Sequence, residues 1–203
     1  MLVPRLVLAS GSPRRRELLT VAGYRFEVDV ADIDESIHEG ESPIAATTRL
    51  AIEKAEAVAC RRAPLEPAAA AAELVLAADT TVVIGERILG KPADAREAVE
   101  MLLSLAGRNH VVLTAWALLP ASAQPGTPEC GISRSTVRMR EISRAEAEVY
   151  AASGEPMDKA GGYAAQGEGR RFIGAIVGRL DNVIGLPMAP VAAALSRGGI
   201  VPG

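Results

Sequence analysis

Three consecutive arginines, Arg14 to Arg16, follow a short run of small polar residues near the start of the chain. An apolar run over residues 6–9 precedes them, and the intervening Ser12-Pro13 pair has the residue types of a helix N-cap and first helical position. This order predicts a strand, a tight loop and a helix N-terminus. Backbone N–H groups, the positive helix end and arginine side chains would then face one small volume, which is what binding a polyphosphate requires. A solvated basic helix start has the same residue types, so this run alone leaves both interpretations open.

Two acidic segments could supply carboxylates to such a site. Asp34 and Glu35 lie in an acidic loop, and Asp79 follows an apolar run over residues 74–78 that predicts a strand. A carboxylate at the end of a buried strand is costly unless a cation or a water-filled cleft receives it, and ligand sites of α/β proteins commonly lie beyond strand ends. A turn that begins with aspartate explains Asp79 equally well.

Lys91, a glycine-rich loop and Lys54 add further candidates. Lys91 lies on a Gly-Lys-Pro turn, where it could present a point charge to a phosphate, although most such lysines are solvated. The loop over residues 153–167 carries glycines that let a ligand approach the backbone, and Gln166, whose amide can donate to and accept from a base edge. Its length and mixed composition favour a binding loop or lid over a plain surface loop. Lys54 lies on a predicted helix, where a solvated face is the default.

The elements that must position these residues alternate between strand and helix, which predicts an α/β fold with a mixed sheet flanked by helices. The predicted strands cover residues 5–9, 24–30, 74–78, 81–84, 87–89, 110–119, 133–141 and 172–177. The predicted helices cover residues 13–22, 43–62, 94–107, 143–154 and 187–196. Residues 61–73 form an Ala/Pro-rich stretch without periodicity, to which the sequence assigns no function.

Composition excludes several classes of protein. Apolar residues make up 49% of the 203 residues, enough for a sizeable core in a single domain spanning residues 1–203. A net charge of -3 and an aromatic content of 3% argue against a stable nucleic-acid binder, so the arginine run is better explained as a local site. No apolar run reaches the roughly 18 residues of a membrane span, and the N-terminus lacks the pattern of a signal peptide.

The cysteines indicate a reducing compartment. Cys60 and Cys130 lie far apart, and neither has zinc-ligand spacing to the two histidines, His38 and His110. A disulfide between the two cysteines stays open, but two free thiols in the cytoplasm are the better interpretation.

Taken together, these segments resemble the Maf family of nucleoside triphosphate pyrophosphatases. The matching segments keep their order and span nearly the whole chain: residues 9–15, 49–55, 78–80, 90–92, 158–167 and 183–187. The resemblance implies a Maf/ITPase-like fold with two lobes and a central cleft, often in a homodimer. It further implies hydrolysis of a nucleoside triphosphate between the α and β phosphates, with a divalent metal, Mg²⁺ or Mn²⁺.

The resemblance also implies roles for individual residues. Asp79 matches the proton acceptor, and Glu35 matches an acidic residue near the metal and the attacking water, so both are expected to hold the metal. Polar and basic residues match positions on the phosphate side: Ser10, Arg14, Lys54 and Lys91. Others match positions associated with base choice: Arg15, Thr80 and Gln166.

Two segments resemble the corresponding segments of the subgroup that acts on dTTP and UTP. They are residues 79–80 and the Lys-Ala-Gly-x-Tyr-x-x-Gln-Gly segment at residues 159–167. Modified pyrimidine triphosphates are expected as further substrates. The implied role is house-cleaning, the removal of unwanted nucleotides from the nucleotide pool. A pyrophosphatase for another base, such as 7-methyl-GTP, is an alternative. A nucleotide-sensing regulator of septum formation is a third hypothesis, from a different class. The chain lacks the G-x-x-x-x-G-K-[ST] loop of common NTPases, which argues against a motor or kinase.

Overall fold

The computed structural model describes residues 4–63, 73–121 and 126–203. Within these residues the chain forms seven strands and six α-helices. The strands are β1 (Arg5–Leu8), β2 (Phe26–Val28), β3 (Glu73–Ile84), β4 (Arg87–Leu89), β5 (Asn109–Pro120), β6 (Glu129–Met139) and β7 (Ile173–Val177). The helices are α1 (Pro13–Val21), α2 (Pro43–Arg61), α3 (Ala95–Leu105), α4 (Arg144–Ala152), α5 (Leu180–Ile184) and α6 (Met188–Arg197). Three 3₁₀ turns follow α4, at Glu155–Asp158, Ala160–Gly162 and Gly167–Phe172.

The strands form one mixed sheet in the order β2-β1-β3-β5-β6-β7, with β4 paired to β3. β1 is parallel to both β2 and β3, whereas β4 and β7 run antiparallel to β3 and β6. The predicted α/β class with a mixed sheet flanked by helices is therefore confirmed.

The chain divides into two compact units. The first contains Met1–Asp79, Thr114–Ile132 and Gly185–Gly203, and the second contains Thr80–Leu113 and Ser133–Ile184. The boundary falls within β3, between Asp79 and Thr80.

The first unit buries both faces of β1 and of the first half of β3. Leu76 and Ala78 of β3 belong to an apolar cluster with residues of α1 and α6. Val75 and Ala77 belong to a second cluster, with Ala55 and Val58 of α2 among its members. Because side chains alternate along a strand, Asp79 continues the row that faces α2.

The second unit has a core of its own, in which α3 and α4 pack together. Fully buried side chains from several elements meet there, including Leu89, Leu102, Val137, Tyr150 and Phe172. The rings of Tyr150 and Phe172 lie edge to face with centroids 5.2 Å apart, a favourable geometry for two aromatic rings.

The helices begin close to the positions predicted from the sequence. Four of the predicted helices begin next to a side chain that accepts a backbone N–H of the first helical turn: Ser12, Ser42, Asp94 and Ser143. Ser143 and Glu146 form the full reciprocal capping box. At Asp94 the second bond differs, because the Glu97 carboxylate accepts the N–H of Ala93 instead of that of the cap residue.

Several element boundaries were predicted wrongly. The two strands expected at residues 74–78 and 81–84 are one continuous strand, β3, so Asp79 lies inside a strand and not at its end. β2 is shorter than predicted, β6 begins four residues earlier, and α5 was not predicted. The unassigned stretch at residues 61–73 lies largely outside the described residues.

Both cysteines, Cys60 and Cys130, are free, as the sequence predicted, and both are exposed. Across residues 4–63, 73–121 and 126–203, no helix combines the length and apolar character needed to cross a membrane.

Candidate active site

The loop between β1 and α1 folds around the hydroxyl of Ser10. This buried hydroxyl accepts the N–H of Ser12 at 3.3 Å and a guanidinium N–H of Arg15 at 2.9 Å. Ser12 in turn caps α1 by accepting the N–H of Arg15 at 3.5 Å. The predicted strand, tight loop and helix start are therefore present, and the loop is ordered by its own side chains.

Arg15 also ties this loop to a segment far along the chain. Its Nε donates to the carbonyl oxygen of Gly185 at 2.8 Å, so one guanidinium joins Ser10 to Gly185. Burial lowers the pKa of Arg15 below its usual value and the Arg14 charge adds to this, while Asp79 and Glu35 act in the opposite direction. Arg14, Asp79 and Glu35 are thus each close enough to Arg15 to influence its charge.

The central ion pair joins Lys54 and Asp79. The ammonium Nζ of Lys54 donates to Asp79 Oδ1 at 2.7 Å, and the two side chains are only 10% and 11% exposed. Lys54 lies on the face of α2 that packs on the sheet. Asp79 lies on the face of the sheet that is covered by α2, so the two side chains meet. A buried charge is tolerated when it is paired, so each of these side chains makes the burial of the other acceptable.

The same ammonium reaches the acidic loop. Lys54 Nζ lies 3.0 Å from Glu35 Oε2, and the Glu35 side chain is 47% exposed. Glu35 therefore reaches from solvent toward the buried pair, and two carboxylates converge on one cation.

Arg49 holds the acidic loop against α2. Its guanidinium donates to both carboxylate oxygens of Glu41, at 2.7 and 2.8 Å, and to the carbonyl oxygen of Ser36 at 3.0 Å. A third donor reaches Glu53 at 3.0 Å. Hydrogen bonding from Arg49 lowers the pKa of Glu41 to about 2, despite the opposing effect of burial. Arg49 thereby fixes the backbone next to Glu35.

In the second unit, the turn that carries Lys91 contacts the glycine-rich loop. The N–H of Gly161 donates to the carbonyl oxygen of Gly90 at 2.9 Å. Gly161 has φ 72°, and a Cβ at this position would lie 2.9 Å from the Val82 side chain, so the contact requires glycine. Lys91 itself is exposed.

Gln166 lies in the glycine-rich loop, immediately before the last 3₁₀ turn, and its side chain is half-buried. Thr80 is half-buried on β3 next to Asp79, and alternation along the strand points the two side chains to opposite faces. The structure thus brings together, within the first unit, the predicted residues Ser10, Arg14, Arg15, Glu35, Lys54 and Asp79. The others belong to the second unit: Thr80, Lys91 and Gln166.

Comparison with known proteins identifies the family of the chain. A family profile described as "Maf-like protein" matches residues 5–198 of the chain. The chain belongs to this family.

Curated relatives of this Maf-like protein carry a common name. A protein of Myxococcus xanthus (strain DK1622) named dTTP/UTP pyrophosphatase is 48% identical over 195 residues, which cover 96% of this chain and 93% of the relative. Proteins with the same name occur in Anaeromyxobacter dehalogenans (strain 2CP-1), with 44% identity over 98% of this chain and 96% of the relative, and in Syntrophus aciditrophicus (strain SB), with 45% identity over 98% and 92%.

The divalent metal implied by the Maf resemblance suits the residues present. Glu35 and Asp79 both contact Lys54 Nζ, so their oxygens converge on one position, which the Lys54 ammonium occupies. Carboxylate oxygens are preferred ligands of Mg²⁺ and Mn²⁺, and Mg²⁺ commonly takes only one or two of them, with substrate phosphates completing its shell. Among the residues that the structure describes, no His, Cys, Asp or Glu side chains gather in a group of three or more.

Arg49 and Gly185 position this Maf-like site, although sequence reasoning gave neither a role. Both lie in segments that carry the family resemblance, at residues 49–55 and 183–187. This resemblance was the sequence feature that could have pointed to them. The Arg49–Glu53 pair has the i,i+4 spacing of a helix. The contacts of Arg49 with Glu41 and Ser36 cross from a helix to a loop, and Gly185 contributes a backbone oxygen, so residue spacing does not indicate these contacts.

Proposed function

We propose that this protein hydrolyses dTTP and UTP to the nucleoside monophosphate and pyrophosphate. The observation that carries the proposal is the convergence of Glu35 and Asp79 on the buried ammonium of Lys54, within electrostatic reach of Arg15. Acidic groups for a water and basic groups for a polyphosphate then lie in one place. The names of the relatives, at 44–48% identity over nearly full length, support the same reaction.

Asp79 is the group we assign to the attacking water. It would orient the water and accept its proton, as a general base does. Glu35 contacts the same Lys54 Nζ and would assist. Attack at the α phosphorus releases pyrophosphate, so the mechanism requires no protein nucleophile.

Basic and polar groups would stabilise the charge that accumulates on the departing pyrophosphate. We assign this task to Ser10, Arg14, Lys54 and Lys91, because cationic donors fixed in advance stabilise developing negative charge most effectively. A divalent metal held by Glu35 and Asp79 would supply further charge neutralisation when bound.

Base choice we assign to Arg15, Thr80 and Gln166. Uracil and thymine present an acceptor at O4 and a donor at N3, and a glutamine amide offers the matching donor and acceptor. Modified pyrimidine triphosphates with the same edge would be accepted as well, which suits a house-cleaning role in the cytoplasm. The free cysteines agree with that compartment.

A product-resolved hydrolysis screen tests the proposal. With Mg²⁺ present, dTTP and UTP should each give monophosphate and pyrophosphate, and chelation of the metal with EDTA should stop turnover. The screen should include CTP and 7-methyl-GTP, since fastest turnover of 7-methyl-GTP would overturn the base assignment. Diphosphate and free phosphate as products would overturn the cleavage assignment.

The Asp79→Asn variant tests the proposed base. Turnover should fall by about 10²–10⁴-fold, because the amide cannot accept a proton, while the circular dichroism spectrum stays that of the folded protein. Full activity in this variant would contradict the assignment of Asp79.

A further inference from the structure

The glycine-rich loop that carries Gln166 is held by one carboxylate. Glu155, in the first 3₁₀ turn, accepts the N–H of Glu168 at 3.2 Å through Oε1 and the N–H of Gly169 at 2.9 Å through Oε2. These donors lie two and three residues after Gln166, in the opening turn of the last 3₁₀ segment, where N–H groups lack partners within the helix. Glu155 therefore caps this turn from a distant position in the loop.

Tyr150 extends the same network to the other side of Gln166. Its hydroxyl oxygen accepts the N–H of Ala164 at 3.1 Å, two residues before Gln166, and its O–H is hydrogen-bonded to Glu155. The Tyr150 ring is fully buried against Phe172. The backbone is thus fixed on both sides of Gln166 by one connected pair of side chains.

Two glycines let the loop backbone pack directly against Glu155 and Tyr150. A Cβ at Gly167 would lie 2.1 Å from Glu155 Oε1, and Gly167 has φ 68°. A Cβ at Gly169 would lie 2.6 Å from the hydroxyl oxygen of Tyr150. Since real Cβ atoms do not approach so closely, both glycines are needed for the backbone to pack against Glu155 and Tyr150.

Fixed position is what an amide needs to discriminate between pyrimidines. Cytosine reverses the donor and acceptor of uracil at ring positions 3 and 4, and a glutamine amide can present either order of groups. Such an amide selects one base only when its surroundings restrict where it can reach.

We propose that Glu155 is a positioning residue for base selection, acting with Tyr150 to fix the backbone around Gln166. The proposal rests on the proposed pyrophosphatase function and deepens it. The backbone N–H groups that the Glu155 carboxylate binds lie two and three residues after Gln166, so its removal should alter selectivity more than chemistry.

The test compares kcat/KM for UTP and CTP in the wild type and the Glu155→Gln variant. Glutamine keeps the size of the side chain but presents an NH₂ group where a backbone N–H now donates. The UTP preference should fall about fivefold or more, mainly through a higher KM for UTP, with kcat changed less. Glu168→Gln is the matched control, because it removes an exposed carboxylate from the same loop and should leave the preference unchanged.

Two further variants separate positioning from general damage. Gln166→Ala should lower the UTP preference by itself, and adding Glu155→Gln to it should have little further effect, since both act through Gln166. Tyr150→Phe keeps the ring packing and removes both hydroxyl contacts, so it should also lower the preference, and it serves if Glu155→Gln does not fold.

The outcomes distinguish the two proposals. If the wild type hydrolyses neither UTP nor dTTP, the proposed function fails and this inference fails with it. If the wild type prefers UTP and both Glu155→Gln and Tyr150→Phe keep that preference, only the positioning role is overturned. Additive effects of Glu155→Gln and Gln166→Ala would also contradict it.

Discussion

Lys54 and Asp79 form a buried ion pair, with the ammonium 2.7 Å from the carboxylate and both side chains about one-tenth exposed. Lys54 also contacts Glu35 at 3.0 Å, so a single cation joins a helix, a strand and the acidic loop. The pair is local to one unit, and the proposed chemistry depends on it.

Removing this cation should destabilise the fold. In Lys54→Met, the buried Asp79 carboxylate loses its partner, and breaking a buried pair in this way costs about 3 kcal/mol. Urea denaturation of the wild type and the variant measures the difference. Lys91→Met removes an exposed lysine and should change the free energy of unfolding by less than about 0.5 kcal/mol. Equal losses in the two variants would contradict the importance of the buried pair.

Arg49 should matter for turnover more than for stability. Its guanidinium group donates hydrogen bonds to the Glu41 carboxylate and to the carbonyl oxygen of Ser36, which is next to Glu35. A lysine ammonium cannot make all of these contacts at once. Arg49→Lys should therefore lower kcat/KM for UTP by about 10- to 100-fold, because small displacements of reacting groups are costly. Steady-state kinetics measures this, with Arg96→Lys on the exposed face of α3 as the control. Wild-type kinetics in Arg49→Lys would contradict this prediction, because the acidic loop would then keep its position without the guanidinium contacts.

His110 should make the stability of the fold depend on pH. Burial lowers the pKa of His110 from 6.5 to about 4, and its Nε2 lies 2.6 Å from the hydroxyl oxygen of Tyr163. Between these pH values the unfolded chain binds a proton that the buried ring does not. Stability therefore falls as the pH falls from 6.5 to 4, and the contribution of His110 to this fall is roughly 3 kcal/mol.

Comparison with His110→Gln isolates this contribution. A glutamine amide can still reach the Tyr163 hydroxyl but does not titrate, so the variant should lose less stability between pH 6.5 and pH 4 than the wild type. His38→Gln, which replaces an exposed histidine, should follow the wild type. An identical pH slope for His110→Gln and wild type would contradict the prediction.

The helix starts were predictable because their determinants are local. Ser12, Ser42 and Ser143 each cap a turn within three residues, and residue types at that spacing carry the information. β3 was divided wrongly because residues 79–81 combine an aspartate with two threonines and look like a break. β3 pairs with β1 before this polar stretch and with β4 after it, and this pairing keeps the strand continuous. Such pairing between segments cannot be read from the local sequence.

The arrangement of the site depended on contacts that spacing does not encode. Lys54 was an unremarkable helix residue in sequence terms, and only the packing of α2 on the sheet turns it toward Asp79, 25 residues away. Arg15 reaches Gly185 across 170 residues, and its acceptor is a backbone oxygen that any residue type would offer. The family resemblance pointed to these segments, but not to the contacts between them.

Hydrolysis of UTP in ¹⁸O-labelled water tests the central claim most directly. If water attacks the α phosphorus, mass spectrometry should find one ¹⁸O in each uridine monophosphate and none in the pyrophosphate. Asp79→Asn should slow formation of the labelled product by about 10²–10⁴-fold. Label in the pyrophosphate, or formation of uridine diphosphate and labelled phosphate, would contradict the proposed reaction.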